Sequence, residues 1–154
     1  MVVGVSHIAL GVTDVDKALT FYRGVLGMEV TADYFQDLPP DRGPELHKGR
    51  HIKRRQVWLR WGTGEHASAL TLDELHEPVP ADKRGDIYDL GVHHFSFWVD
   101  DVDAVIDLAR AGGFDVVMPH VASAADYGEP AGSRIQSVFL RDPDGNLVQC
   151  DRRV

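Results

Sequence analysis

Two histidines stand at matching points of an internal repeat and are the residues best placed to do chemistry. Residues 4–18 read GVSHIALGVTDVDKA, and residues 91–105 read GVHHFSFWVDDVDAV. Aligned without gaps, Gly4 meets Gly91, Val5 meets Val92 and His7 meets His94. Further along, Val12, Asp14, Val15 and Asp16 meet Val99, Asp101, Val102 and Asp103. The copies lie 87 residues apart, too far for a solenoid and suited to two halves of one small domain. A neutral imidazole can ligate a metal or move a proton near neutral pH. A lone strand-end histidine more often bonds to backbone, so the pairing by repeat is what sets His7 and His94 apart.

The elements that must position them follow from periodicity. Ile8, Leu10 and Val12 alternate with His7, Ala9 and Gly11, the period of a strand with two unlike faces. In the second copy Phe95, Phe97 and Val99 alternate with His94, Ser96 and Trp98. One face suits packing under a helix. The other carries a histidine among mainly small residues, which leaves room for a ligand. Asp14 and Asp101 then stand where helix N-caps belong. Helical spacing follows in Val15, Ala18, Leu19, Tyr22 and Leu26, and again in Val102, Val105, Ile106 and Ala109. Gly27 and Gly113 fall where a C′ glycine would stop each helix.

Later strands are expected at residues 28–33, 56–61 and 67–72 in the first half, and at 115–118, 135–140 and 146–151 in the second. Long loops are expected at 35–52 and 119–132. The turn Asp142-Pro143-Asp144-Gly145 has Pro and Gly where a type I turn favours them. Each half is thus strand–helix–strand–strand–strand. The organisation predicted is one domain over 1–154, with unit one at about 1–75, a linker at about 76–89 and unit two at about 90–154.

Composition narrows the partners. The net charge is −8, which argues against nucleic acid or an anionic membrane. No apolar run approaches the ~20 residues of a membrane span, and no signal-peptide pattern opens the chain. Cys150 is the single cysteine, so no intrachain disulfide can form and a cytoplasmic setting is expected. Opposite in parity to Gln149, it reads as a small core hydrophobe.

A βαβββ unit used twice, with a histidine opening each half, resembles the vicinal oxygen chelate superfamily, which includes glyoxalase I, bleomycin-resistance proteins and extradiol dioxygenases. The phrases SHIALGVTDVDKALTFYRGVLGMEV, GVHHFSFWVDDVD and FLRDPDGNLVQ carry the resemblance, and they span essentially the whole chain. It implies an α+β fold in which two βαβββ units form an open cup-shaped mixed sheet with helices outside. It also implies a divalent metal, held by His7 on the first strand, His94 on the fifth and the residue at 149 on the last. Members usually have glutamate there; this chain has Gln149. A further acidic ligand, the base in glyoxalase I, would fall at Thr71. With both acids missing, the resemblance implies a weakly held ion (Fe, Mn, Ni or Zn, not distinguished), weakened as pH falls through ~6.5. A homodimer is likewise implied, as superfamily members commonly dimerise.

The reading is a metal-dependent dioxygenase, lyase or isomerase acting on a small substrate with adjacent oxygens, its catalytic residue unassigned. The alternative is a metal-free binding protein of the bleomycin-resistance type, sequestering an aromatic or antibiotic ligand. Substrate contacts are assigned to Ser96, Trp98, Thr71, Arg60 and Tyr127. Trp58 and Trp61 are expected in core or dimer packing, with core the default, and Arg54 and Arg55 on solvated strand edges. His47, His51, His66 and His76 read as loop histidines without partners. His93 has the wrong parity for the histidine face, and His120 lies on a loop that could reach it.

Overall fold

The computed structural model describes residues 1–43, 46, 48–80 and 90–154. The chain divides into two compact units, Met1–Asp82 and Lys83–Val154. The first contains β1 (His7–Val12), α1 (Val15–Tyr22), β2 (Glu29–Leu38), β3 (Ile52–Arg60) and β4 (Ala69–Glu77). The second contains β5 (His94–Trp98), α2 (Val102–Ala111), β6 (Val116–Ser123), a 3-10 turn (Ala124–Tyr127), β7 (Arg134–Arg141) and β8 (Leu147–Arg153). Among the described residues, no helix is long and apolar enough to cross a membrane.

Each unit forms a four-stranded sheet of one topology, β1-β4-β3-β2 and β5-β8-β7-β6. In each, the first strand pairs parallel with the last and the other pairings are antiparallel. The repeat extends to register. His7 lies opposite Ala69 and His94 opposite Leu147, so Thr71 and Gln149 occupy equivalent positions, as do Asp73 and Asp151. Even the irregularities match, with shifts between Val30 and Ala32 and between Val116 and Met118.

The helices form for the reasons the sequence offers. Asp14 accepts from the Lys17 amide, and Asp101 from the amides of Asp103 and Ala104, satisfying donors that the first turn leaves free. Gly113 follows α2 at φ +77°, a backbone shape that costs glycine little. Val102, Val105, Ile106 and Ala109 form the buried face of α2, and Phe97, Val138, Leu140, Val148 and Cys150 of the sheet are buried too. Phe97 is buried as expected, but Ile8, Leu10 and Phe95 are only half-buried. They lie on β1 and β5, the edge strands, where cover is incomplete.

The strands are longer than hydrophobic alternation predicts. β2 runs to Leu38 and β3 starts at Ile52, so the expected 35–52 loop gives up its two ends to strand. Cross-strand polar pairs hold that extension: Arg55 with Asp33, Arg54 with Gln36 and His51 with Asp37. β6 likewise takes residues 119–123 from the second expected loop, and the 3-10 turn takes four more. The 142–145 turn closes as expected, with the Gly145 amide donating to Asp142 O at 2.9 Å and Gly145 at φ +84°. Buried Asp142 also accepts from the amides of Asp144 and Asn146, which fixes where β8 begins.

Candidate functional site

Alternation gives each sheet a face turned away from its helix. In the second unit, register places His94, Ser96 and Trp98 of β5 on that face, with Gln149, Asp151 and Arg153 of β8 beside them. Ser137 and Phe139 of β7 and His120 of β6 continue it. In the first unit the equivalent face carries His7, Thr71, Asp73, Trp58, Gln56, Arg54 and Tyr34.

The two histidines are held alike. His94 Nδ1 lies 2.7 Å from His93 Nδ1, and His7 Nδ1 lies 3.2 Å from Ser6 Oγ. In both, the preceding side chain engages Nδ1, and Nε2 makes no hydrogen bond to another described residue. Burial lowers the His94 pKa, His93 adds to that, and Asp151 opposes it. Its imidazole is therefore biased towards the neutral form that ligates. The His94 ring meets Phe139 edge-on at 5.5 Å, and His120 stacks on the same Phe139 at 5.9 Å. The first-unit counterpart is His7 against Trp58 at 5.2 Å.

Asp151 is the centre of a buried polar cluster that sequence reading passed over. It is 3% exposed and accepts from Ser96 and Ser137, and from Gln149 Nε2 at 2.8 Å. Tyr127 has one proton and two acceptors, Ser137 Oγ at 2.6 Å and Asp151 Oδ1 at 3.1 Å. Its oxygen accepts from Gln149 Nε2 at 2.7 Å. Burial raises the Tyr127 pKa, which keeps that proton on the phenol. The first unit has its own version. Asp73 accepts from Gln56 Nε2 at 2.7 Å, Arg54 at 2.9 Å and Thr71 Oγ1 at 3.1 Å. Tyr34 donates to Gln56 Oε1 at 2.7 Å and accepts from Trp58 Nε1 at 3.0 Å. The missed signal was parity, since each acid lies two residues beyond Thr71 or Gln149 and therefore on the same face.

Other assigned residues have more local settings. Trp98 is 52% exposed with the Arg153 guanidinium 3.9 Å over its ring, and Arg153 is paired with Glu129. Arg60 donates to Ala67 O at 2.7 Å and borders a groove of about 790 Å³, lined also by Ser6, Glu29, Thr31, Trp61 and His66. Trp61 is thus exposed and Trp58 half-buried on the His7 face, so neither is a core residue. Arg54 and Arg55 are not free edges, for Arg54 serves Asp73 and Arg55 bridges Asp33 and Asp16. His51 and His76 have partners in Asp37 and Glu74, while His47 lies outside the described residues. Cys150 is buried, and burial pushes its thiol up to about 12.

Fold, repeat and sequence together define the class: the chain belongs to the glyoxalase/bleomycin resistance protein/dioxygenase superfamily, which matches residues 4–150. It is 27% identical to a lactoylglutathione lyase of Haemophilus influenzae over 143 residues, 93% of this chain and 87% of that one. It is 33% identical over 113 residues, 71% of this chain and 58% of the other, to a 2-epi-5-epi-valiolone epimerase of an Actinomyces species. A glyoxalase family protein from Bacillus cereus shares the fold at TM-score 0.78 and 16% identity, covering 100% of this chain and 96% of its own.

The donors can be tested against the divalent ion that the family implies. Among the described residues, no group of three His, Cys, Asp or Glu could hold a metal. Asp73 and Asp151 are already engaged by donors, and neither is spare as a ligand. What the two units offer instead is imidazole and amide. His7 and His94 keep Nε2 available, and Gln149 has both Nε2 hydrogens committed, which leaves Oε1. Such nitrogen and carbonyl donors fit a divalent ion, without the carboxylate that would hold it tightly.

Proposed function

We propose that this protein is a metal-dependent enzyme of its superfamily acting on a small molecule with adjacent oxygens, and that His7, His94 and Gln149 are the metal ligands. The observation that carries the reading is the orientation of the donors in each unit, with Nδ1 of both histidines occupied and the Gln149 amide nitrogen turned inward. A metal-ligating histidine ordinarily has its other nitrogen engaged in this way. Dioxygenase, lyase and isomerase chemistry all start from chelation of two neighbouring substrate oxygens, and relatives named as lyases and an epimerase support the enzymatic reading.

When bound, the ion would act as a Lewis acid on those oxygens. The chain's own residues orient and exclude. Phe139 closes one side of His94 with an apolar wall, and Ser96 is committed to Asp151, so it shapes the face without offering its proton. Thr71 is buried and donates to Asp73, so position 71 supplies no carboxylate base. Arg60 beside the groove, with Trp98 and Tyr127 in the other unit, are the proposed substrate contacts. An uncharged ligand set favours an anionic chelator. The chain is also proposed to form a homodimer, which light scattering tests directly; a monomer mass at micromolar concentration rejects it.

The rows of aromatic and imidazole rings, His94–Phe139–His120 and His7–Trp58, favour one second reading, a binder of flat aromatic ligands without metal. One experiment separates the two. Chelator-treated protein is titrated with catechol before and after addition of Mn²⁺. Binding that requires Mn²⁺ and is lost in His94→Ala supports the enzyme; equal binding without metal supports the binder.

A further inference from the structure

The amide at 149 and the acid at 151 form a matched pair. Gln149 Nε2 donates one hydrogen to Asp151 Oδ1 at 2.8 Å and the other to the Tyr127 oxygen at 2.7 Å. Asp151 is itself pinned, with Ser96 on Oδ2 and Ser137 on Oδ1. A flipped amide would set Gln149 Oε1 against the carboxylate oxygen Asp151 Oδ1 at 2.8 Å, with no proton between them. The first unit repeats the relation at the equivalent register, where Thr71 Oγ1 donates to Asp73 Oδ2 at 3.1 Å. The negative charge of each face has been placed two residues along the strand, and the residue at 71 or 149 is its donor.

We propose that Asp151 is a positioning residue for Gln149: by accepting from Nε2 it fixes the amide so that the carbonyl oxygen, and not the nitrogen, is left to ligate. The inference rests on the proposed reading of Gln149 as a ligand. It also accounts for an amide at 149. A glutamate there would set one carboxylate against another at hydrogen-bond distance, in a site 6% exposed at 149 and 3% at 151. The two positions are coupled, and a productive exchange has to change both.

The test combines two measurements on the full chain. Mn²⁺ affinity is measured by calorimetry in the native protein, in Asp151→Asn and in the exchanged double variant Gln149→Glu with Asp151→Asn. The side-chain amide resonances of Gln149 are followed by NMR without metal. Asp151→Asn introduces an amide that can donate to Gln149 Oε1 and claim the ligand atom. It is expected to weaken Mn²⁺ at least tenfold, the range for residues that orient ligands, and to shift the Gln149 amide pair. The double variant restores donor and acceptor and is expected to recover native affinity or better, which a merely structural role for Asp151 would not produce. Native affinity in Asp151→Asn, or no recovery in the double variant, overturns the proposal. If the native chain takes up no Mn²⁺ while the Gln149 resonances still move in Asp151→Asn, the metal reading fails and the orienting contact stands. Resonances unmoved in Asp151→Asn overturn the contact itself. Should Asp151→Asn not fold, Ser96→Ala with Ser137→Ala removes both hydroxyl donors that pin Asp151 and is expected to weaken Mn²⁺ and shift the Gln149 amide pair; both unchanged overturns the proposal equally.

Discussion

Removing the Tyr127 hydroxyl separates the buried cluster from its surroundings with the smallest possible change. Tyr127→Phe keeps the ring on the 3-10 turn and deletes one oxygen. That oxygen accepts from Gln149 at 2.7 Å and lies 2.6 Å from Ser137 and 3.1 Å from Asp151. Gln149 keeps its bond to Asp151, so its amide loses one acceptor of two. Ser137 keeps Asp151 as well. The net loss is therefore one bond shared with a charged group and one amide hydrogen left without a protein acceptor. A hydrogen bond to a charged group contributes about 1.5–3 kcal/mol, and the half-buried setting of Tyr127 places the loss near the lower end, at about 1.5–2 kcal/mol. Urea denaturation of the apo protein reads this directly as a lower midpoint at unchanged slope. In a Ser137→Ala background the effect should shrink, because the two changes share partners. A loss below about 0.5 kcal/mol, or full additivity with Ser137→Ala, would refute the cluster as a cooperative unit.

Three further expectations follow from single contacts. Asp101→Ala leaves the amides of Asp103 and Ala104 without their cap and should cost about 1 kcal/mol in the same urea assay. Burial pushes the Cys150 thiol up to about 12, so the native chain should resist Ellman's reagent at pH 8 and react once unfolded; rapid native labelling would show an open core. Hydrogen bonding from Arg55 lowers the Asp33 pKa below 3.8. The unfolded chain therefore binds that proton more readily. The contribution is full above pH ~4 and is lost as pH falls through the folded value, so Asp33→Asn should flatten the acid limb of the stability profile.

Much of this was legible in the sequence, because the 87-residue repeat carries both topology and cap chemistry. Asp14, Asp101, Gly113 and the 142–145 turn do what their residue types and spacing suggest. The pairing of residues 35–38 with 52–55 was not legible, since charged and amide pairs hold it and leave no apolar alternation to read. For the site, strand parity identified the faces of His7, His94 and Ser96, and the resemblance pointed to Thr71 and Gln149. Asp73 and Asp151 escaped because the resemblance directs attention to 71 and 149, although the same parity continues two residues on. The roles of Trp58, Tyr34 and Tyr127 depend on contacts between strands and turns distant in sequence, which a period along one strand cannot disclose.

On the proposed reading the chain carries a divalent ion on donors that include His94. Elemental analysis of protein purified without a histidine tag tests it most directly. The prediction is stoichiometric iron, manganese, nickel or zinc, readily stripped by a chelator, restored on dialysis against the metal and absent from His94→Ala. Protein that stays metal-free under excess metal, or a His94→Ala variant that retains the native metal content, would contradict it.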